Sequence, residues 1–501
     1  MSKLSRLTRN SLIVAFFFFI DKIFAFVRTG IVSRIYSDEV HLLDTFNAAN
    51  NLPDVLFALI SGGALAMAFI PLLSEYLTTK DRAAVWDLFS RVANFGFVVT
   101  GSIAILIAIF AQQIVDANLG IAPGFGEEQR KLLAELMRLN LIGTIIFSIS
   151  GLVMASLHAN QHFVLPAIAP SMYNIGQIFG AIFLVPRFGI YGLVYGVIIG
   201  AAMHLLIQVP ALIKFGFRWT PSLDIRNTGL MNALKLMAPR LLTMGGIQII
   251  FIARDNLASR LDQVGAVTSL TYGWMIMQVP ETILGTAIAT ALLPTLSELA
   301  SRRDWAEFGA TVERALRVLI SLSLPVAAVM SAGIHPLVRA VFGFDEATSV
   351  LITWTTRAYL ATLTGYVIHE IAVRSFYARK EPMIPLYAVF IRLAIFLTIG
   401  IIGVAYFDEI GAPVIAFAEI ALLVEAIIQL VWLSRRTHEP LKTGNAIVKG
   451  LIAAVVGGIV TYAVALYLPG GAISTALIGM VVGGVIALGI VWSEAKLLFN
   501  L

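Results

Sequence analysis

The sequence predicts an all-α polytopic membrane protein with about 14 transmembrane helices, arranged as two pseudo-symmetric six-helix lobes followed by two extra helices. Three observations carry that prediction. Of 501 residues, 58% are hydrophobic and only 13% charged, with a mean hydropathy of +0.88, more apolar side chain than a water-soluble fold could cover. The apolar residues fall into fourteen runs near the 20-residue length of a membrane-spanning helix. Two motifs recur in the same order at nearly the same offset, the mark of an internal duplication.

The runs are 11–36, 43–73, 88–116, 131–157, 163–185, 190–213, 230–258, 264–296, 310–340, 349–376, 383–405, 411–434, 446–468 and 474–498. The first continues past Ile20 with no small-residue cleavage site, so it reads as a helix and not as a signal peptide. The second and eighth are long enough to be tilted or bent. Basic residues collect at alternate ends of the runs: Lys3, Arg6 and Arg9, then Lys80, Arg82 and Arg91, then Lys214, Arg218, Arg226 and Lys235, and on to Arg435, Arg436, Lys442 and Lys496. This bias places both termini in the cytoplasm. The net charge of +5 belongs to these topology signals, which leaves little case for nucleic acid as a partner. No cysteine is present, which excludes disulfides, thiolate metal sites and thiol nucleophiles.

The duplication pairs Ile70-Pro71-Leu72-Leu73-Ser74-Glu75 with Leu293-Pro294-Thr295-Leu296-Ser297-Glu298, an offset of 294 − 71 = 223. Leu52-Pro53-Asp54 is echoed by Val279-Pro280-Glu281. A second pair joins the segment opening at Ser156, with Pro166 beyond it, to the segment opening at Ser375, with Pro385 beyond, offset 375 − 156 = 219. Proline, serine and glutamate are also common at any helix end, but two motifs agree here. The implied parts are 1–218, 219–436 and 437–501. Two parallel repeats of six helices place a transporter's substrate site between the lobes.

Charges within spans cost about 2.5 to 3.5 kcal/mol each on insertion scales and are kept for lining polar cavities. Asp21 and Arg28 are seven positions apart, on one face of the first helix, and Lys22 lies beside Asp21. Either they form a neutralised packing pair, or Lys22 and Arg28 line a lumen and await an anion. Arg34 reads as snorkelling to the interface or as a third cation. Asp44 either caps the second helix or enters the cavity. Asn47, Asn50, Asn51 and Asp54 follow at i, i+3, i+4 and i+7, a polar stripe that lipid cannot satisfy. In the seventh helix Arg254 pairs locally with Asp255 or supplies positive charge to the second lobe, with Asp255 as a coupling-cation or proton candidate. His369, Glu370 and Arg374 read equally as gate or interface residues. Arg392, Glu419 and Glu425 stand alone in their runs and receive no role. No metal-ligand spacing, nucleophile elbow or phosphate loop is present, which favours a carrier over an enzyme.

The runs FAFVRTGIVSRIY, LDTFNAANNLPD and GGALAMAFIPLLSEY resemble the N-terminal signature of the MurJ/MviN lipid II flippases of the multidrug/oligosaccharidyl-lipid/polysaccharide exporter superfamily. IAPGF, HANQHFVLPAIAPSMYNIGQ, GIYGLVYGVIIGAAMHLLIQVPAL and ALLPTLSELA extend the likeness over essentially the whole chain. The resemblance implies a flippase in the bacterial inner membrane that moves the undecaprenyl-pyrophosphate-linked peptidoglycan precursor from the inner to the outer leaflet by alternating access. It implies membrane lipids and the cell-wall synthesis machinery as partners, no cofactor, and coupling to Na+, H+ or the membrane potential. By position, Lys22 takes the place of an arginine, Arg28 matches the next arginine and Asp44 an aspartate, while 446–468 and 474–498 match the helices of a lipid-tail groove. Three positions depart: Phe57, Met275 and Gln278 stand where the family has two arginines and a glutamate.

The expected substrate-binding set is therefore Lys22, Arg28, Arg34, Asp44, Asn47, Asn51 and Arg254, with Asp21, Asp255, His369 and Glu370 as coupling or gating groups. The departures leave open a flippase for another polyprenyl-linked saccharide. A cation-coupled exporter of small molecules is the further alternative, disfavoured by the cationic residues and the extra helix pair.

Overall fold

A computed structural model describes residues 6–62, 64–223, 228–437 and 441–500. The topology signals Lys3 and Arg226 lie outside the described residues. Every element among the described residues is helical. The chain divides into two compact units, Met1–Ile252 and Ala253–Leu501.

The first unit holds α1 (Arg6–Ile35), α2 (Val40–Ala49), α3 (Asn51–Leu56), α4 (Ala64–Thr79), α5 (Arg82–Ile109), α6 (Ala111–Asp116), α7 (Glu127–Ala159), α8 (Val164–Phe179), α9 (Val185–Phe188), α10 (Tyr191–Leu206), α11 (Val209–Lys214) and most of α12 (Thr228–Ser259). The second holds the end of α12, then α13 (Ala266–Glu281), α14 (Ala287–Arg302), α15 (Trp305–Phe342), α16 (Glu346–Ala378), α17 (Met383–Tyr406), α18 (Ala412–Phe417), α19 (Ile420–Thr437), α20 (Gly444–Tyr467) and α21 (Ala472–Ala495). Each of the fourteen predicted runs falls on helix. Among the described residues, ten helical stretches are long and apolar enough to cross a membrane, so the chain is a multi-pass membrane protein.

The two long runs are bent, by the same device. Pro53 precedes a π-helical turn at Phe57–Gly62, and Pro280 precedes another at Thr282–Thr286. In each case the turn begins a few residues after the proline and widens the ladder locally to i→i+5. The duplicated segments thus share a helix–π-turn–helix shape as well as a motif.

Within lipid there is no hydrophobic drive between helices, so close packing of small residues holds them together. In the first unit, Gly176 and Gly180 face Gly196 and Gly200 across α8 and α10; a Cβ added at Gly196 would lie 2.9 Å from the Gly180 Cα. The opposite side of α8 packs on α1. In the second unit, α20 and α21 pack on each other and on α15, with Gly457, Thr461, Gly479 and Gly483 at their contact. Buried Glu494 staples the three: it accepts from Arg317 Nε at 2.9 Å and from Lys449 Nζ at 2.9 Å.

Candidate functional site

In the first unit, the charged face of α1 meets amides of α8. Asn174 Nδ2 donates to Asp21 Oδ1 at 2.8 Å, and Arg28 Nη1 donates to Gln177 Oε1 at 3.3 Å. Asn174 and Gln177 are buried and three residues apart, one turn of α8. Asp21 and Arg28 therefore each have a partner on the neighbouring helix. Lys22 is exposed, with no hydrogen bond or ion pair among the described residues. At 1.5 Å per residue it sits about 24 Å from the start of α1, roughly midway along it. Arg28 is half-buried and Arg34 exposed near the helix end.

Asp44 does not cap a helix. Glu39 occupies the cap position of α2, and Asp44 lies within that helix, 3% exposed. The stripe that follows is split by the break between α2 and α3. Asn51 is buried and donates to the Phe251 carbonyl of α12 at 3.2 Å, whereas Asn47 is half-buried on α2. Asn50 and Asp54 instead line a cavity of about 320 Å³ with Phe57, Asn140, Thr144, Phe147, Tyr173 and His204. Asn140 Nδ2 donates to Asn50 Oδ1 at 2.9 Å, and the Phe57 and Phe147 rings meet edge to face at 5.0 Å. The place where the resemblance leads one to expect an arginine is thus an aromatic wall.

In the second unit, Arg254 and Asp255 pair locally, Nε to Oδ1 at 2.8 Å, both buried; Arg254 also donates to the Tyr359 hydroxyl. Trp274 stacks edge-on against Tyr359 and Tyr366 at 5.6 and 5.2 Å. Tyr366 donates to Glu419 Oε2 at 3.1 Å, and the same oxygen accepts from Arg392 Nη2 at 2.7 Å. His369 Nδ1 lies 3.7 Å from Glu425 Oε1, which accepts from Gln429 Nε2 at 3.1 Å. Glu370 ion-pairs with Arg374 on the next turn and accepts from Thr286 of the π-turn at 3.3 Å. His369 and Glu370, neighbours in sequence, thus belong to separate clusters.

Sequence reading left out Asn174, Gln177, Arg392, Glu419 and Glu425. The signal for the first two was an amide pair at i, i+3 in an apolar run. For the other three it was one or two charges in each of two adjacent spans, which acquire meaning only when α17 and α19 are known to pack.

The lipid II flippase MurJ family model matches residues 40–482. The chain is 28% identical over 391 residues to the lipid II flippase MurJ of Burkholderia cenocepacia, covering 76% of this chain and 75% of that protein. It is 27% identical over 427 residues to the probable lipid II flippase MurJ of Buchnera aphidicola from Acyrthosiphon pisum, covering 84% and 81%. Among solved structures it matches a lipid II flippase MurJ in an inward-closed conformation, with a TM-score of 0.79 at 22% identity over 96% of this chain and 98% of that one. It also matches an inward-facing multidrug resistance MATE family transporter of the MOP superfamily, with a TM-score of 0.72 at 14% identity over 83% of this chain and 94% of that one.

Proposed function

The chain belongs to the lipid II flippase MurJ family, and on that premise we propose that it moves lipid II, the undecaprenyl-pyrophosphate-linked peptidoglycan precursor, from the inner to the outer leaflet of the bacterial inner membrane by alternating access. The observation within the chain that best supports this reading is Lys22, an exposed cation midway along α1 and one residue from an aspartate held by Asn174. A cation at that depth is stabilised by an anion that comes and goes, and a pyrophosphate supplies one. Arg28, half-buried two turns along, extends the same charge.

In this reading α20 and α21 present an apolar surface to the prenyl tail, including Val455, Ile459, Val481 and Val485, all largely exposed. Both termini lie in the cytoplasm, as the basic loop ends require. The chain lacks cysteine, so single cysteines near Arg9 and Lys496 would report that orientation by their accessibility to an impermeant reagent in intact cells.

The test is rescue of cells depleted of their own flippase. Wild type should restore growth; Lys22→Ala with Arg28→Ala should insert to the same level yet fail. Full rescue by the double variant overturns the role given to these cations. A different polyprenyl-linked saccharide as substrate is favoured by one observation, the packing of Phe57 on Phe147 where the family resemblance calls for positive charge.

A further inference from the structure

The second unit carries a buried acid that the head-group reading does not use. Glu425 of α19 is 0% exposed. One of its oxygens accepts from Gln429, but the other, Oε2, has no hydrogen-bond partner among the described residues, and Arg392 Nη1 approaches it only to 3.9 Å. His369 Nδ1 and Gln429 Oε1 are buried and likewise without hydrogen-bond partners. Arg392 Nε is an unpaired donor beside them, and His369 Nδ1 donates or accepts according to its tautomer. A buried acceptor left without a hydrogen is costly, and a carboxylate oxygen most of all.

The charges of the cluster are also unbalanced. Arg392 contributes one positive charge and Glu419 and Glu425 two negative ones, so the cluster carries one excess negative charge when both acids are ionised. Charged groups on the packed elements have partners of their own, Arg357 of α16 on the Ser331 carbonyl and Arg339 of α15 on Glu346 among them. From α16, Tyr366 is committed to Glu419, while Glu370 and Arg374 pair with each other. Arg254 and Asp255 of α12 neutralise one another. On α15, Arg314 pairs with Glu307 and Arg317 with Glu494. Glu425 Oε2 lacks a hydrogen and the cluster lacks one positive charge, and a proton supplies both.

We propose that Glu425 and His369 form a proton-binding site through which transport is coupled to the proton gradient. The proposal rests on the reading of the chain as a carrier. A proton on Glu425 turns its orphaned oxygen into a donor; a proton on His369 makes Nδ1 a donor facing the Glu425 carboxylate 3.7 Å away. No bond other than O–H or N–H is made or broken, and release to water on the far side regenerates the ionised pair. Arg392, fixed to Glu419, keeps the site from binding a second proton by holding positive charge beside it.

The experiment uses the full chain in two arms. Infrared spectra of the protein in lipid nanodiscs, taken across a pH titration, should contain a protonated-carboxyl band that is lost in Glu425→Gln and altered in His369→Gln. This arm is independent of any substrate. In the second arm, proteoliposomes at clamped membrane potential receive a fluorescent undecaprenyl-pyrophosphate disaccharide. One proton per cycle makes each unit of pH gradient worth about tenfold in the accumulation ratio, and Glu425→Gln should abolish that dependence. A carboxyl band unaffected by Glu425→Gln, or wild-type transport indifferent to the pH gradient, overturns the proton site. Failure of wild type to move the lipid at all counts against the flippase reading alone, and the infrared arm then decides the proton site.

Discussion

The Asn174 amide donates a 2.8 Å hydrogen bond to the Asp21 carboxylate, tying α1 to α8 across the first unit. Spacing alone puts Asp21 and Arg28 on one face and allows them to pair. In the fold each has its own amide partner, so the α1 charges are positioned by α8 and not by each other. Replacing Asn174 with Ala leaves a carboxylate without its donor. We expect a loss of about 1.5–3 kcal/mol, the range for hydrogen bonds to charged groups, read by thermal unfolding in detergent. In a double-mutant cycle with Asp21→Asn, most of that loss should appear as coupling.

Lys22 and Arg28 should separate in the same assay. Lys22 makes no hydrogen bond or ion pair among the described residues and acts on neighbouring Asp21 through charge alone, so Lys22→Ala should move the unfolding temperature little. Arg28→Ala removes a hydrogen bond to Gln177 and should lower it. Equal destabilisation by both would show that Lys22 is a packing residue.

The α8–α10 contact admits no side chain. A Cβ at Gly196 already meets the Gly180 Cα at 2.9 Å, so Gly196→Val must push the helices apart. Overpacking of this kind costs about 1–3 kcal/mol. It should also shift Asn174 and Gln177 relative to α1, so transport should fall further than stability. Retention of wild-type folding yield and transport would refute the contact.

Arg392 and Glu419 form a buried ion pair at 2.7 Å. Removing only Arg392 strands Glu419, at a cost of about 3–5 kcal/mol, whereas Arg392→Met with Glu419→Gln should recover most of the loss. The comparison is made by denaturation of the purified variants in lipid. Recovery by the double variant marks the pair as structural; the Glu425 oxygen beside it is then the functional feature.

The staple at Glu494 holds α20 and α21 to α15. Glu494→Ala removes the acceptor for Arg317 and Lys449, so we expect a loss of about 1.5–3 kcal/mol and enhanced proteolysis of the 437–443 connection. Unchanged protease resistance would show that the glycine contacts alone hold the pair.

Much of this fold can be read from the sequence because bilayer thickness imposes a length on each helix, and because Pro71 in α4 and Pro294 in α14 mark the same duplicated helix twice. The bends at Pro53 and Pro280 were legible as excess length, though not as π-turns. The site was less legible. Lys22 and Arg28 stand out because lysine and arginine are rare in apolar runs. Asp44, at the head of an apolar run, reads as a cap or as a cavity residue, and Glu39 at the cap position of α2 removes the first reading. Asn51 and Asp54 share α3 and by spacing a stripe, yet Asn51 turns to the Phe251 carbonyl and Asp54 to the cavity. His369 reads from the sequence as a gating or coupling group without a partner, and Glu425 has no role there, since what joins them is the packing of α16, α17 and α19.

The central claim is that the cations of α1 serve an anionic lipid head group. The most direct measurement is the leaflet distribution of lipid-linked precursor in flippase-depleted cells, by mass spectrometry after outer-leaflet trapping. With wild type, undecaprenyl-pyrophosphate precursor should appear in the outer leaflet. With Lys22→Ala and Arg28→Ala it should accumulate, chemically unaltered, in the inner one. Outer-leaflet precursor at wild-type levels in the double variant would contradict the account.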